Sequence, residues 1–327
     1  MAVVQIAGST NHSTEVSLRS DECTHFDKSN RYILATAANV MVTLALFATT
    51  AHATENGGLM YPLGVNTVAA GVYPGPGETW LQNYTAIYRS RTFTDAHGNS
   101  VVPRFKADVF VNATRIFHSW DAKVGPFELL SGTVLSLYHT RTGSDSDYER
   151  DTALGDIELQ PLYFGYTSLD KTFTSYTGID VYVPSKTDVS NNYYSFNPTT
   201  YMTWFPSPKL ELSAAVGVEF HTRNRDTKYK SGTVFVTDLG MGYKPSNELP
   251  GLSIGLGGYV VSQISDDKVD GAAVNGGFRQ KGYGIGPQLS YSGSWGAVAV
   301  KWQRELKTEN RSEGNKFWIQ FMVPFDH

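Results

Sequence analysis

Residues Leu210–His221 read LELSAAVGVEFH, and the period of two in that stretch decides the fold. Leu210, Leu212, Ala214, Val216, Val218 and Phe220 fall on one side, with Glu211, Ser213, Gly217, Glu219 and His221 on the other. Successive side chains of a strand point to opposite faces, so the stretch reads as a strand with one apolar and one polar face. Its length is close to the roughly 9–11 residues that a tilted strand needs to cross a bilayer.

The pattern recurs along the chain. Residues 296–305 set Val298, Val300 and Trp302 against Lys301, Gln303 and Glu305, and the last segment puts Phe317, Ile319, Phe321, Val323 and Phe325 on one face. No segment after Thr54 sustains the 3.6-residue period of a helix. Alternation places strands near 80–89, 105–116, 127–138, 157–166, 171–183, 198–205, 210–221, 233–243, 252–263, 282–291, 296–305 and 316–325. A soluble β-sandwich is the rival architecture, because it too has strands with one apolar face.

The connections separate the two. Those after even-numbered strands are short: around Asp121–Pro126, Ser168–Asp170, Pro206–Pro208, Pro245–Pro250 and Gly293–Trp295. Those after odd-numbered strands are long and polar: around Thr92–Arg104, Arg141–Asp156, Ser185–Asn197, Asn224–Gly232, Asp266–Lys281 and Lys307–Asn315. A sandwich has no reason to sort its loops by parity. A transmembrane barrel has short periplasmic turns and long outer loops, with both ends of the chain on the periplasmic side. The fold expected is all-β: one antiparallel transmembrane barrel of about 12 strands over residues 80–327. Aromatics near strand ends fit an interfacial girdle: Tyr84, Tyr88, Phe105, Phe117, Trp120, Tyr138, Tyr163, Tyr193, Tyr194, Trp204, Phe205, Trp295 and Trp302.

Composition agrees with that choice. Aromatics make up 13% of the 327 residues and charged residues only 18%, with 31 glycines, a balance unlike that of a soluble α/β enzyme. A mean hydropathy of −0.27 excludes a polytopic helical membrane protein and leaves a barrel open, since barrel strands average apolar and polar faces. The net charge of −4 gives no case for nucleic-acid binding, which calls for a basic face.

One apolar run stands apart. Residues 33–50 read ILATAANVMVTLALFATT, preceded by Lys28 and Arg31 and followed by Ala51-His52-Ala53. A basic flank, an apolar core and a small-x-small ending make residues 28–53 a secretory signal peptide, cleaved between Ala53 and Thr54. A single membrane anchor is the alternative, for which the run is marginally long. Residues 1–27 are polar and acidic and suit neither role, as an extended or non-native N-terminal segment would. The single cysteine, Cys23, precedes the run, so a chain cleaved there has no thiol left for a disulfide or a zinc site.

Several segments together resemble the outer-membrane channel family associated with meta-pathway phenol degradation. They are Tyr61-Pro62-Leu63-Gly64-Val65, Gly71-Val72-Tyr73-Pro74-Gly75-Pro76-Gly77, Gly155-Asp156-Ile157-Glu158-Leu159-Gln160-Pro161 and Phe164-Gly165-Tyr166. Further along come Tyr229-Lys230-Ser231-Gly232, Gly242-Tyr243, Gln263 with Asp266-Asp267, Ile285-Gly286-Pro287-Gln288, and Asn310-Arg311 with Glu313-Gly314 before Phe317-Trp318. The resemblance implies a monomeric twelve-stranded barrel in the bacterial outer membrane that admits small, often hydrophobic or aromatic, molecules. The chain departs from common barrel endings in closing on Phe325-Asp326-His327 rather than on the aromatic, which would weaken its recognition by the barrel assembly machinery.

A twelve-stranded lumen lies between the eight strands that side chains can fill and the sixteen to eighteen that leave a wide aqueous pore. Glu158, Gln160, Tyr176, Asp180, Glu211, Glu219, Lys301, Gln303, Glu305 and Gln320 are the candidates to line it. Their mixed signs and aromatic neighbours suit neutral or weakly polar solutes better than ions. Residues 54–79, with Pro62, Pro74 and Pro76, read as an ordered non-strand segment resting in or across the periplasmic mouth. The expected partners are therefore outer-membrane lipids and small solutes, with no cofactor and no metal.

The enzyme readings are weaker. Gly251-Leu252-Ser253-Ile254-Gly255 matches G-x-S-x-G, but that motif works on a strand-to-helix turn, and Ser253 begins an alternating strand. A barrel lipase would need a serine beside one of the strand-end histidines His118, His139 and His221, and no spacing provides it. A barrel whose long loops bind as an adhesin is the remaining alternative. The acidic run Asp145, Asp147, Glu149, Asp151 and Asp156 lacks EF-hand spacing, and with Asp266, Asp267 and Asp270 it reads as solvated loop charge.

Overall fold

A computed structural model describes residues 58–325 except 146 and 275. Cys23, the expected signal peptide and its cleavage position at Ala53 and Thr54 lie outside the described residues.

Every described element is a strand: β1 (Thr79–Phe93), β2 (Lys106–Val124), β3 (Phe127–Ser144), β4 (Asp147–Leu154), β5 (Ile157–Thr167), β6 (Phe173–Val183), β7 (Ser195–Ser207) and β8 (Leu210–His221). After them come β9 (Tyr229–Lys230), β10 (Val234–Tyr243), β11 (Leu252–Gln263), β12 (Lys268–Val269), β13 (Ala272–Ala273), β14 (Lys281–Gly293), β15 (Gly296–Glu309) and β16 (Ser312–Phe325). Consecutive strands pair antiparallel, and β1 pairs with both β2 and β16, which closes the sheet. β4 and β5 both pair with β3 and together make one crossing, so the wall is a closed twelve-stranded barrel. Closure leaves no unpaired edge, the condition a sheet must meet in hydrocarbon.

The alternation sorts as expected. Leu239, Met241, Ile254, Leu256, Ile285, Leu289, Phe317 and Phe321 face outward and are exposed, while the facing-in residues of the same strands are buried. An exposed apolar belt around a closed barrel belongs in lipid, so the protein sits in the bacterial outer membrane. Thr79 pairs with Phe325 at the end that carries the short turns, so the first strand starts and the last strand finishes on the periplasmic side.

Three expectations need correction. The stretch Arg141–Asp156 is not a long loop: β3 continues to Ser144 and returns as β4 after a turn at Asp145, which has φ +56°. Lys307–Asn315 likewise becomes the meeting ends of β15 and β16, joined by a tight turn with Asn310 at φ +52°. Aspartate and asparagine tolerate that backbone region, and strands that project beyond the bilayer need no apolar face to mark them. Third, the girdle is smaller than read. Phe117 and Tyr163 are fully buried inside the barrel, and Tyr193 is buried too, whereas Trp120, Tyr194, Trp204, Trp295 and Trp302 are exposed on the outside. Proximity to a strand end does not set which face a ring is on; parity does. Loops 224–232 and 266–281 also contain structure, the small sheet of β9, β12 and β13.

Candidate functional site: the lumen and the segment inside it

Residues 58–78 form no strand, so their backbone groups must find partners elsewhere, and they find them on the lumenal side chains of the wall. The amides of Met60 and Tyr61 each donate to Glu219 at 3.0 Å. Gly64 and Asn66 donate to Asp238 at 2.7 and 2.9 Å, and the Tyr61 hydroxyl donates to the same carboxylate at 3.0 Å. Ala69 donates to Glu211 at 2.7 Å and Gly71 to Thr203 Oγ1 at 2.8 Å.

The carbonyls face the opposite wall. Lys316 donates to Leu63 O at 2.8 Å, and Lys301 to Gly64 O and Val65 O at 2.8 and 2.7 Å. Gln303 reaches Gly64 O, Gln320 reaches Val65 O and Gln288 reaches Thr67 O. The donors of the segment therefore meet an acidic wall on β8 and β10, and its acceptors meet a basic and amide wall on β14–β16. Charge-assisted bonds of this kind are roughly twice as strong as neutral ones.

The segment runs the length of the barrel. Met60 accepts from Asn191 in the β6–β7 outer loop, and Gly77 donates to Ser119 O at the turn end of β2. Two glycines let it lie close. A Cβ on Gly240 would overlap the Thr67 carbonyl, and Gly64 (φ +84°) turns beneath Gln303 in a conformation few other residues adopt.

Three buried clusters pack around this thread. Tyr61 and Leu63 meet Val234, Val236, Tyr259 and Val261; Val65 meets Ala86 and Trp318; Tyr73 meets Phe117, Leu130, Tyr163, Tyr176, Tyr201 and Ala215. In the last cluster Tyr176 stacks on Tyr201 at 4.5 Å and meets Tyr73 edge-on at 6.1 Å.

All ten sequence candidates face the lumen, in three groups. Glu211, Glu219, Lys301, Gln303 and Gln320 hold the segment directly. Gln160 donates to Glu158 at 2.5 Å and to Asp180 at 3.1 Å, and Asp180 also accepts from Tyr163 and Tyr201; Tyr176 lies beside them in the aromatic cluster. Glu305 stands apart near the outer rim, accepting from Tyr88, Tyr259, Arg311 and the Gly314 amide.

Asp238, Lys316 and Arg115 were missed. Each sits at an inward parity position of a strand with a readable alternation, so parity alone could have found them. His221, one of the strand-end histidines, is a buried partner of Glu219 at 2.9 Å. Ser253 lies within β11 opposite Ser290, on a paired strand without the turn that G-x-S-x-G requires. Among the described residues no group of three metal-ligating side chains comes together.

Residues 90–321, most of the chain, match the family model described as a putative MetA-pathway of phenol degradation. The chain belongs to this family. Its barrel is similar to the crystal structure of an outer membrane channel from Pseudomonas putida F1, with a TM-score of 0.69, 14% identity, and coverage of 80% of this chain and 100% of that one. The NanC porin (TM-score 0.40, 11% identity, 76% and 100% covered) and the β-domain of the Bordetella autotransporter BrkA (0.47, 10%, 77% and 100%) are more distant. At such identities the likeness extends to the fold. No curated protein sequence matches the chain. Membership in the family and the closed barrel together make this an outer-membrane β-barrel of that family.

Proposed function

We propose that this family member is a channel for passive uptake of small hydrophobic or aromatic molecules, held shut at rest by residues 58–78. The observation that supports it is the match between segment and wall. Polar side chains on facing walls, among them Glu211, Glu219, Asp238, Lys301, Gln303, Lys316 and Gln320, bond the backbone of the segment, and its apolar side chains lie among aromatic and aliphatic residues. A barrel that needed only a filled core would use apolar contacts, because each buried charge carries a desolvation cost that a polar partner must offset.

The test is single-channel conductance in planar bilayers for the intact chain and a variant lacking residues 58–76, with liposome uptake measured over aromatics, fatty acids and sugars. Raised conductance on deletion, with uptake favouring aromatic or aliphatic solutes, is the expected result. Unchanged conductance together with no uptake above protein-free liposomes would refute the channel.

A further inference from the structure

The outer surface of the first four strands changes character as it leaves the bilayer. Ile87 on β1 and Phe110 on β2 face each other across the ladder, both exposed, as part of the apolar belt. Two residues closer to the outer loops, on the same face, comes a charged row in register. Arg89 stands opposite Asp108, Asp108 opposite Arg141, and Arg141 opposite Arg150. On β3 His139 separates the exposed Leu137 from Arg141, so the row climbs away from the belt as it passes from β1 to β4, as tilted strands require.

Cations dominate this face. Arg91 donates to Asp108 at 2.7 Å and Lys106 lies 3.0 Å from it, so the one carboxylate of the row is already met twice. Arg89, Arg141 and Arg150 make no ion pair among the described residues. Glu149 and Asp151 flank Arg150 in the chain, but parity turns them to the other face of β4. Like charges placed directly opposite each other, as Arg141 and Arg150 are, destabilise a sheet unless an anion lies between them. Tyr148 holds two of the cations in place: the Arg141 guanidinium is 4.8 Å from its ring centroid and Lys106 Nζ 5.7 Å.

We propose that Arg89, Arg91, Lys106, Arg141 and Arg150 bind the phosphates of an outer-leaflet lipid of lipopolysaccharide type, an acylated sugar carrying more than one phosphate. Charge and place choose this occupant. Five cations beside one carboxylate complement an anion, and the planar fork of arginine matches phosphate oxygens two at a time. The row begins at the edge of the apolar belt, where a soluble polyanion would have to enter the headgroup layer. A lipid whose acyl chains lie on Ile87, Phe110 and Leu137 carries its phosphates to that level. The climb from Arg89 to Arg150 spreads the cations over more than one depth, which suits an extended headgroup with two phosphates better than a single phosphodiester. The site lies outside the wall, so its occupancy does not depend on what the lumen passes.

Native mass spectrometry of the folded barrel in detergent tests this, with diphosphoryl lipid A, monophosphoryl lipid A and phosphatidylglycerol as probes and inorganic phosphate as competitor. Diphosphoryl lipid A should bind at least tenfold more tightly than phosphatidylglycerol and severalfold more tightly than monophosphoryl lipid A, and excess inorganic phosphate should not displace it. Arg141→Gln with Arg150→Gln should weaken diphosphoryl lipid A at least tenfold. Arg89→Gln with Lys106→Gln attacks the other end of the row with the same expected loss, and keeps the proposal testable if the first variant does not fold. Lys171→Gln with Lys209→Gln removes two cations from the short turns at the periplasmic end and should change nothing. Equal binding of phosphatidylglycerol, displacement by inorganic phosphate, full retention in a folded row variant, or the same loss in the turn variant would each overturn the site.

Discussion

Replacing Asp238 with asparagine should loosen the lumenal segment while leaving the barrel intact. Asp238 is fully buried and accepts three bonds from the segment, the Gly64 amide on Oδ1 and the Asn66 amide with the Tyr61 hydroxyl on Oδ2. An asparagine has one acceptor oxygen. If that oxygen stays against Gly64, an NH₂ group faces the Asn66 N–H, and two donors oppose each other in a buried site. Bonds to a charged group contribute about 1.5–3 kcal/mol each, and one acceptor is retained, so the net weakening is about 3 kcal/mol. At about 1.4 kcal/mol per factor of ten, the released population rises on the order of 100-fold. The ladder of β10 with β8 and β11 is untouched, so the barrel should keep its heat-modifiable mobility on gels. Single-channel recordings should then show opening events about two orders of magnitude more frequent than in the parent. A folded Asp238→Asn barrel with unchanged opening frequency and mean conductance would show that this carboxylate does not hold the segment.

The facing wall gives a companion experiment: Lys301→Met removes both bonds to Gly64 O and Val65 O and should raise opening frequency in the same assay, by roughly tenfold or more. Because Lys301 and Asp238 meet at Gly64, the double variant should gain less than the sum of the two, as a double-mutant cycle would measure. Gly240→Val places a side chain where the Thr67 carbonyl sits, so the segment must shift; conductance should rise, with the far-ultraviolet circular dichroism of the barrel unchanged. On the outside, Leu256 is 47% exposed to lipid, and Leu256→Arg should cost about 2–4 kcal/mol if it lies near the bilayer midplane, read as a lowered folded fraction in vesicles under urea titration.

Much of this architecture was legible in the chain. LELSAAVGVEFH is β8 with the bounds its alternation suggests, because side-chain direction in a strand depends on parity alone. The short turns marked the periplasmic end for the same local reason. The outer hairpins were less legible. Beyond the bilayer the β3–β4 and β15–β16 strands are polar on both faces, so nothing in their pattern distinguishes a strand from a loop. The aromatic positions were readable only in part. Trp204 and Tyr201 lie close together in β7, yet Trp204 faces lipid and Tyr201 joins the buried cluster, a difference of parity and not of composition.

What the sequence by itself determined is the set of inward and outward residues, and with it the barrel, its membrane and its even strand count. What only the tertiary structure decided is what the inward residues do. Glu219, Asp238 and Lys301 come from strands far apart in the chain, and closure brings them around one short segment whose amides and carbonyls they bind. No local period encodes which wall a side chain will face across a lumen, since that depends on register summed around the whole barrel.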